Sequence, residues 1–264
     1  MTKVRDIYEF LNTLAPVSMK MDFDNVGLLV GNHGSEVEKC MLALDITCEV
    51  IQDAKSIGAE LIVSHHPLIF GAIKSVTADD LTGGKIIELI KNDISAICMH
   101  TNLDIAQGGV NDALMSTLGA DVSGFLEPSG TDAMGNEVGC GRIGELKNEI
   151  DFAEFLCTCK RALNVGGLRY YDAGKKVKKL AAMGGAGGSC IALAKAMGCD
   201  TYVTSDIKYN GFLDAKELRI NLIDADHFCT ENVIIPVLAQ KLREEFNETE
   251  FIISAVHKQT VRFF

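Results

Sequence analysis

Short apolar segments alternate with amphipathic ones along the first half of the chain. Val4, Ile7, Leu11 and Leu14 recur at helical spacing before Pro16, which predicts an amphipathic helix at the start. In chain order, the pattern then predicts a strand at 41–46, a helix at 47–57, a strand at 61–64, a helix at 82–91, a strand at 94–99 and a helix at 110–118.

A second alternation of the same kind follows. It predicts a helix at 151–163, a strand at 180–183, a helix at 189–197, strands at 201–204 and 220–223, a helix at 231–245 and a final strand at 251–256. Residues 122–144 are rich in Gly, Ser and Asp, which predicts a lobe boundary or a long loop. We therefore expect an α/β fold with mostly parallel sheets in two lobes of similar size, 1–125 and 126–264. The final strand could pack back on the first lobe.

Composition narrows the class of protein. With 264 residues and 47% hydrophobic side chains, the chain can bury one large core or two smaller ones, which excludes fibrous and disordered proteins. A net charge of −11 argues against a broad phosphate-neutralising surface, so nucleic acid is not an expected partner. No apolar stretch approaches the ~20 residues of a membrane span. Asp6 and Glu9 interrupt any secretory signal, so we expect a cytoplasmic protein.

The nine cysteines are an odd number with no Cys-x-x-Cys pair, and they are scattered through apolar segments. A disulfide framework is typical of small secreted domains, which this chain is not. We interpret the cysteines as reduced, buried thiols.

Polar side chains follow two predicted strands at the point where each strand ends. His65 and His66 come directly after the strand at 61–64, whereas His100 and Asp104 follow the strand at 94–99. Ligands bind outside the carboxyl ends of parallel strands, so both groups could reach one crevice. Alternatively, the histidine pair is one core and one surface residue, and Asp104 and His100 only support the turn before Gly108.

A third group follows the strand at 220–223. His227 and Glu231 have i, i+4 spacing and share one face if a helix begins near Asp226. The alternative is an ordinary acidic first turn on an exposed helix. Mixed imidazole and carboxylate ligation suits Zn, Mn, Fe, Co or Ni better than Ca or Mg. The candidate ligands exceed what one open zinc site needs, so two divalent transition-metal ions with a shared water are plausible. They are His65, His66, Asp104, His227 and Glu231.

A glycine-rich turn links the strand at 180–183 to the helix that follows it. Its Gly185, Gly187 and Ser189 could present backbone amides to a phosphate or carboxylate, with Lys208 as a further contact. The turn matches neither the Walker sequence nor the full dinucleotide fingerprint, and a simple tight turn explains it equally well.

Four motifs in this order resemble the Nif-three-like proteins, also called GTP cyclohydrolase 1 type 2 homologues. They are Asp24-Asn25-Val26-Gly27-Leu28-Leu29-Val30-Gly31, Ser64-His65-His66-Pro67-Leu68-Ile69-Phe70, His100-Thr101-Asn102-Leu103-Asp104 and Thr204-Ser205-Asp206-Ile207-Lys208-Tyr209. The resemblance covers almost the whole chain and is to the short form without an inserted domain. Two departures are Phe23, where the family commonly has Trp, and Asp226, where glycine is usual.

The resemblance implies two α/β lobes with a dinuclear metal centre between them, Glu231 as the bridging ligand, and a toroidal homohexamer. We expect a metal-dependent hydrolase for a small anionic, phosphate- or nucleotide-like substrate, with His100 as the proton-transfer residue. The alternative is a metal-binding regulatory or scaffold protein without catalysis. The family label implies GTP cyclohydrolase activity, although no sequence feature identifies a guanine site.

Overall fold

The polypeptide folds into two units, each built around its own β-sheet. Met1–Leu103 and Ile235–Lys258 form the first unit, and Asp104–Ile234 and Gln259–Phe264 form the second. The computed structural model describes residues 1–131 and 135–264. The division falls after Leu103, whereas residue 125, where composition placed a boundary, lies within a strand of the second unit.

Ten helices and eleven strands are present in these described residues. The helices are α1 (Val4–Leu14), α2 (Cys48–Ile57), α3 (Leu81–Lys91), α4 (Thr101–Ile105), α5 (Val110–Thr117), α6 (Phe152–Ala162), α7 (Ile191–Ala196), α8 (Tyr209–Leu218), α9 (His227–Glu231) and α10 (Ile234–Glu245). The strands are β1 (Gly27–Val30), β2 (Lys39–Ala43), β3 (Leu61–Ser64), β4 (Ser95–Cys98), β5 (Ala120–Thr131), β6 (Glu137–Ile150), β7 (Arg169–Tyr171), β8 (Val177–Ala182), β9 (Thr201–Thr204), β10 (Asn221–Asp224) and β11 (Glu250–Ile253).

The sheet of the first unit has the strand order β1-β4-β3-β2-β11. Its strands are parallel except β1, which pairs antiparallel with β4. Helix α2 begins after Thr47, whose side chain accepts a hydrogen bond from the Val50 backbone, and it ends at Gly58 with φ of 69°. Val50 and Leu89 pack with Ile62 of β3 in the core. The final strand, β11, pairs in parallel with β2.

The sheet of the second unit has the order β5-β6-β8-β9-β10-β7. Its central strands β8, β9 and β10 are parallel and the outer pairs are antiparallel. The α/β prediction with mostly parallel sheets is therefore confirmed, and parallel strands form the centre of both sheets.

In the segment expected to be a loop or boundary, residues 122–131 and 137–144 instead belong to two long antiparallel strands, β5 and β6, while 132–134 lie outside the described residues. Glycines replace apolar residues where the two strands lie close together. A Cβ at Gly144 would lie 2.3 Å from a backbone oxygen of β5, and one at Gly139 would lie 2.5 Å from another. Two register shifts interrupt the pairing as well. Because glycines stand at these positions, the sequence lacks the regular apolar alternation that predicts a strand. The loop prediction was therefore wrong for the described residues.

The buried Arg142 of β6 connects this strand to the segment that follows α4. The Arg142 side chain is 1% exposed and donates hydrogen bonds to Asp112 at 3.1 and 2.7 Å and to the Ala106 carbonyl at 2.8 Å. It also donates to carbonyls of its own strand, and its guanidinium lies 4.5 Å from the centre of the Phe125 ring. Arg142 thereby fixes the chain two residues after Asp104.

All nine cysteines are free thiols, of which seven are buried. Burial raises the pKa of Cys140 and of Cys159 to about 12. The interpretation as buried thiols is wrong for Cys48 and Cys157, which are exposed on helices α2 and α6. Within residues 1–131 and 135–264, no helix is both long enough and apolar enough to span a membrane.

Candidate metal centre

Three histidines of the first unit form a cluster, which we call the histidine group: His65, His66 and His100. His65 and His66 follow β3, and both backbone amides donate to the Leu44 carbonyl, at 3.2 and 2.9 Å. His100 follows the neighbouring strand β4. The ring centroids are 5.0 to 5.6 Å apart, and one ring nitrogen from each residue lies within 4.8 Å of the others. The carboxyl ends of two parallel strands therefore bring these imidazoles together, as predicted.

Each imidazole of this group has an oxygen atom beside Nδ1. The acceptors are the Met99 carbonyl for His65 at 2.8 Å, Asp45 Oδ1 for His66 at 2.7 Å and Asp24 Oδ1 for His100 at 2.8 Å. A carbonyl or carboxylate oxygen only accepts, so each Nδ1 carries the proton and Nε2 keeps its lone pair in the neutral ring. Metal-bound histidines are typically held in this way.

Asp24 is the carboxylate partner of His100 and belongs to a motif in which the sequence pattern gives it no role. It is buried and accepts hydrogen bonds from His100 and from the Thr101 backbone and hydroxyl, at 3.0 and 2.5 Å. Burial by itself raises the pKa of Asp24, but these hydrogen bonds lower it below its ordinary value. Burial and the nearby His65 imidazole lower the pKa of His100, although Asp24 opposes this effect. A neutral imidazole backed by a carboxylate can accept a proton at Nε2.

The second unit contributes a group of three residues, which we call the acidic group: Asp104, His227 and Glu231. Helix α9 begins at His227, so the predicted i, i+4 spacing places His227 Nε2 3.0 Å from Glu231 Oε2. Carboxylate oxygens of Asp104 and Glu231 lie within 4.8 Å of each other. His227 Nδ1 lies 2.7 Å from Asp206 Oδ2, which repeats the arrangement of the histidine group. The hydrogen bond to Glu231 is the main cause that raises the pKa of His227 to about 9.

The glycine-rich turn lies against Glu231 in this unit. A Cβ at Gly185 would lie 2.2 Å from Glu231 Oε1, and Gly185 has φ of +64°, so glycine is required on both counts. Backbone amides in the turn already donate to side-chain oxygens: Gly184 to Asn111, Gly185 to Thr230 and Gly187 to Thr204. An anion bound here would have to use other donors than the Gly185 and Gly187 amides. Ser189 and Lys208, the other predicted contacts, are exposed.

Asp226 lies next to His227 in a strained backbone conformation. Its φ of 72° and ψ of 135° fall outside the regions that residues with a side chain normally adopt. The carboxylate accepts a hydrogen bond from the Cys229 backbone at 3.1 Å, which caps α9, and another from the Gln259 side chain. These two hydrogen bonds hold Asp226 in a backbone conformation that glycine, the usual residue of the family at this position, adopts without strain.

The chemistry of these donors fits transition-metal ions. The histidine group offers three imidazole nitrogens, whereas the acidic group offers one imidazole and two carboxylates. Imidazole with carboxylate suits Zn, Mn, Fe, Co or Ni, and Ca or Mg would require more oxygen ligands. The sequence pattern indicates the five candidate ligands but gives no role to the oxygen acceptors Asp24, Asp45 and Asp206.

Comparison with known proteins gives a consistent result. A model of the family Duf34/NIF3 (NGG1p interacting factor 3) matches residues 2–260. The chain is 40% identical over 263 residues to the GTP cyclohydrolase 1 type 2 homologue of Clostridium perfringens, covering 99% of each protein. The crystal structure of a Bacillus cereus protein related to NIF3 has a TM-score of 0.93 at 26% identity, with 100% of both chains covered. A Staphylococcus aureus hypothetical protein has a TM-score of 0.92 at 31% identity, with 99% of both chains covered. The resemblance seen in the motifs is confirmed, and the chain belongs to the Duf34/NIF3 family.

Proposed function

We propose that His65 and His66 of the histidine group and the three residues of the acidic group hold two divalent transition-metal ions, and that the protein is a hydrolase of a small anionic substrate. The observation that carries the proposal is the hydrogen bonding shared by the imidazoles of the histidine group. His65, His66 and His100 each have Nδ1 beside an oxygen acceptor, at 2.7 to 2.8 Å. In the neutral ring, that pattern leaves Nε2 as the coordinating or proton-accepting atom. His227 Nδ1 likewise lies beside Asp206, whereas its Nε2 lies 3.0 Å from Glu231.

The proposed ligands are His65, His66, Asp104, His227 and Glu231, with Glu231 as the bridge. Two observations support this role for Glu231: its side chain is only 4% exposed, and it lies close to both other members of the acidic group. Two ions, when bound, would supply Lewis acidity and a water molecule with a pKa lowered toward ~7. Gly185 provides the space that the bridging carboxylate needs.

His100 is proposed as the proton-transfer residue and not as a ligand. Its Nδ1 donates to buried Asp24, so Asp24 fixes the tautomer and keeps Nε2 available to take up a proton and to return it to a leaving group. The ring is largely buried at 17% exposure, which limits exchange of that proton with bulk water.

The substrate is proposed to be a phosphate- or nucleotide-like anion, despite the net charge of −11. Net charge governs long-range approach, whereas bound cations set the field within a site. Ser189 and Lys208 are proposed as further contacts to the anion, and Asp226 is the nearby charge that would oppose it. The curated relatives named GTP cyclohydrolase 1 type 2 homologue make a nucleotide the first substrate to test. A homohexamer is the proposed assembly, because the family resemblance implies one and homo-oligomers usually have closed symmetry.

The metal proposal is tested by elemental analysis of the purified protein. We expect up to two transition-metal ions per chain, and less metal in each of His65→Ala, His66→Ala and Glu231→Ala. His33→Ala is the matched control, because His33 packs against Tyr8 instead of lying in either group. Unchanged metal content in all three variants, with folding checked by circular dichroism, would disprove the ligand assignment.

The hydrolase proposal needs a separate assay. Metal-loaded protein is incubated with pyrophosphate, phosphate monoesters and GTP, and wild type is compared with His100→Asn and Asp24→Asn. We expect hydrolysis of at least one compound, lower turnover in both variants and unchanged metal content. Full metal occupancy without any hydrolysis would instead support a regulatory metal-binding protein. Light scattering tests the hexamer, and a monomeric mass at several concentrations would contradict it.

A further inference from the structure

We infer that His257 is a positioning residue for the proposed metal ligand His66 and acts on it through Asp45. The inference rests on the proposed function only in taking His66 as a ligand. The three residues form a continuous hydrogen-bonded row within the first unit, although His257 lies near the other end of the sequence.

Asp45 is held by an imidazole on each of its carboxylate oxygens. Oδ1 accepts a hydrogen bond from His66 Nδ1 at 2.7 Å, and Oδ2 accepts one from His257 Nε2 at 3.0 Å. The Asp45 backbone N–H points at the same nitrogen, 3.2 Å away, and would donate to it in the other tautomer; the hydrogen bond to Oδ2 takes the tautomer that carries its proton on Nε2. The carboxylate therefore cannot rotate about its side chain without losing one of these contacts. Because Oδ1 is fixed, the His66 ring is fixed in both tautomer and direction.

The position of His257 is itself set by the fold and not by chance contact at the surface. Its side chain is 9% exposed, although Asp45 itself is 39% exposed. It follows β11, and the Ser254 backbone continues that pairing by donating to the Leu42 carbonyl at 2.9 Å. The Ser254 hydroxyl then binds Asp53 at 3.0 Å and accepts from the His257 backbone at 3.4 Å. The turn after β11 thus delivers the imidazole to Asp45.

The expected role is to tighten metal binding without touching the metal. Residues that orient a metal-bound histidine typically contribute about 10–100-fold to metal affinity. We expect an effect of this size on the ion that His66 binds, because a mobile Asp45 would let the His66 ring turn away. A residue that only stabilised the turn after β11 would change folding stability but leave the affinity unchanged.

The test uses full-length protein stripped of metal and two substitutions that differ in one property. His257→Phe keeps the ring shape but has no N–H donor, whereas His257→Gln places an amide N–H near the position of Nε2. Co²⁺ or Zn²⁺ is titrated against a chromophoric chelator. We expect affinity to fall about tenfold or more in the Phe variant and to return close to wild type in the Gln variant. Phe251→Leu is the control, since it weakens the packing of β11 without touching His66, Asp45 or His257, and it should bind metal as wild type does.

A second readout needs no metal. In the metal-free protein, NMR of the imidazole protons should show a slowly exchanging Nδ1 proton on His66 in wild type and His257→Gln, and faster exchange in His257→Phe. If wild type binds no metal, the proposed function fails, and this measurement still decides whether His257 holds His66. Equal affinity and equal proton exchange in wild type and His257→Phe would overturn the inference. Equal loss of affinity in His257→Phe, His257→Gln and Phe251→Leu would also overturn it, because the loss would then follow from a weakened β11 and not from the missing N–H donor.

Discussion

The backbone conformation of Asp226 should make a glycine variant more stable than an alanine variant, which reverses the usual order of stability. At ordinary positions glycine costs roughly 0.5–1 kcal/mol of stability relative to alanine, because it loses more backbone freedom on folding. Asp226 has φ of 72° and ψ of 135°, a conformation that costs a residue with a Cβ about 1–3 kcal/mol. Asp226→Gly removes that cost and Asp226→Ala does not.

Both substitutions lose the same interactions of the carboxylate. The cap on the Cys229 backbone contributes about 1 kcal/mol, and the hydrogen bond from Gln259 contributes about 1 kcal/mol more. We therefore expect Asp226→Ala to lower the free energy of unfolding by about 2 kcal/mol. Since the difference between the two variants excludes the carboxylate, it reports the backbone alone, and Asp226→Gly should be about 0.5–2 kcal/mol more stable than Asp226→Ala.

The assay is urea unfolding followed by circular dichroism, with a chelator present so that metal binding does not contribute. Comparable m-values are needed before the midpoints are compared. Asp214, an exposed residue in helix α8, gives the matched control, because there the alanine variant should be more stable than the glycine variant by about 1 kcal/mol. If Asp226→Ala equals or exceeds Asp226→Gly in stability, the strain argument is refuted.

Three further predictions concern other parts of the fold. Arg142→Met should lower the free energy of unfolding by about 3–5 kcal/mol, measured by urea unfolding, because the half-buried Asp112 carboxylate and the buried carbonyl partners lose their donor; a loss below 1 kcal/mol, about that of an exposed ion pair, would contradict this. A thiol reagent should label two cysteines in the native protein and all nine after denaturation, and Cys48→Ser with Cys157→Ser should abolish native labelling. Gly185→Ala should reduce metal content, because the new Cβ would displace the proposed bridging carboxylate. The control Gly188→Ala, where a Cβ meets only an atom at 3.9 Å, should retain its metal.

Local sequence signals were sufficient to predict many of the helices and strands. Strands β3 and β9 lie at the residues predicted, and α2 with its cap Thr47 covers the predicted range 47–57. Helix α9 was missed as a separate element, since the predicted helix at 231–245 ignored the break before α10. The edge strands β1 and β7 were missed: β1 begins at Gly27 and is followed by Gly31, so its sequence resembles a turn, and β7 (Arg169–Tyr171) contains no apolar run.

For the candidate site too, some residues could be predicted from the sequence and others could not. His65 and His66 were found because they directly follow an apolar strand, and His227 with Glu231 because of their helical spacing. The carboxylate behind His100 could not be found like this, because Asp24 is 76 residues away in sequence. Such a partner is determined by sheet topology, which places β1 beside β4 and which a single sequence does not show.

The discontinuous first unit has a consequence for the order of events during protein synthesis. Strand β2 emerges from the ribosome early, but its neighbour β11 is made only after the main segment of the second unit. Until then one edge of β2 presents unpaired N–H and C=O groups, which are a template for pairing with strands of other chains. The nascent protein therefore has to pass through a stage at which its first sheet is open to association, and the arrival of β11 closes that edge.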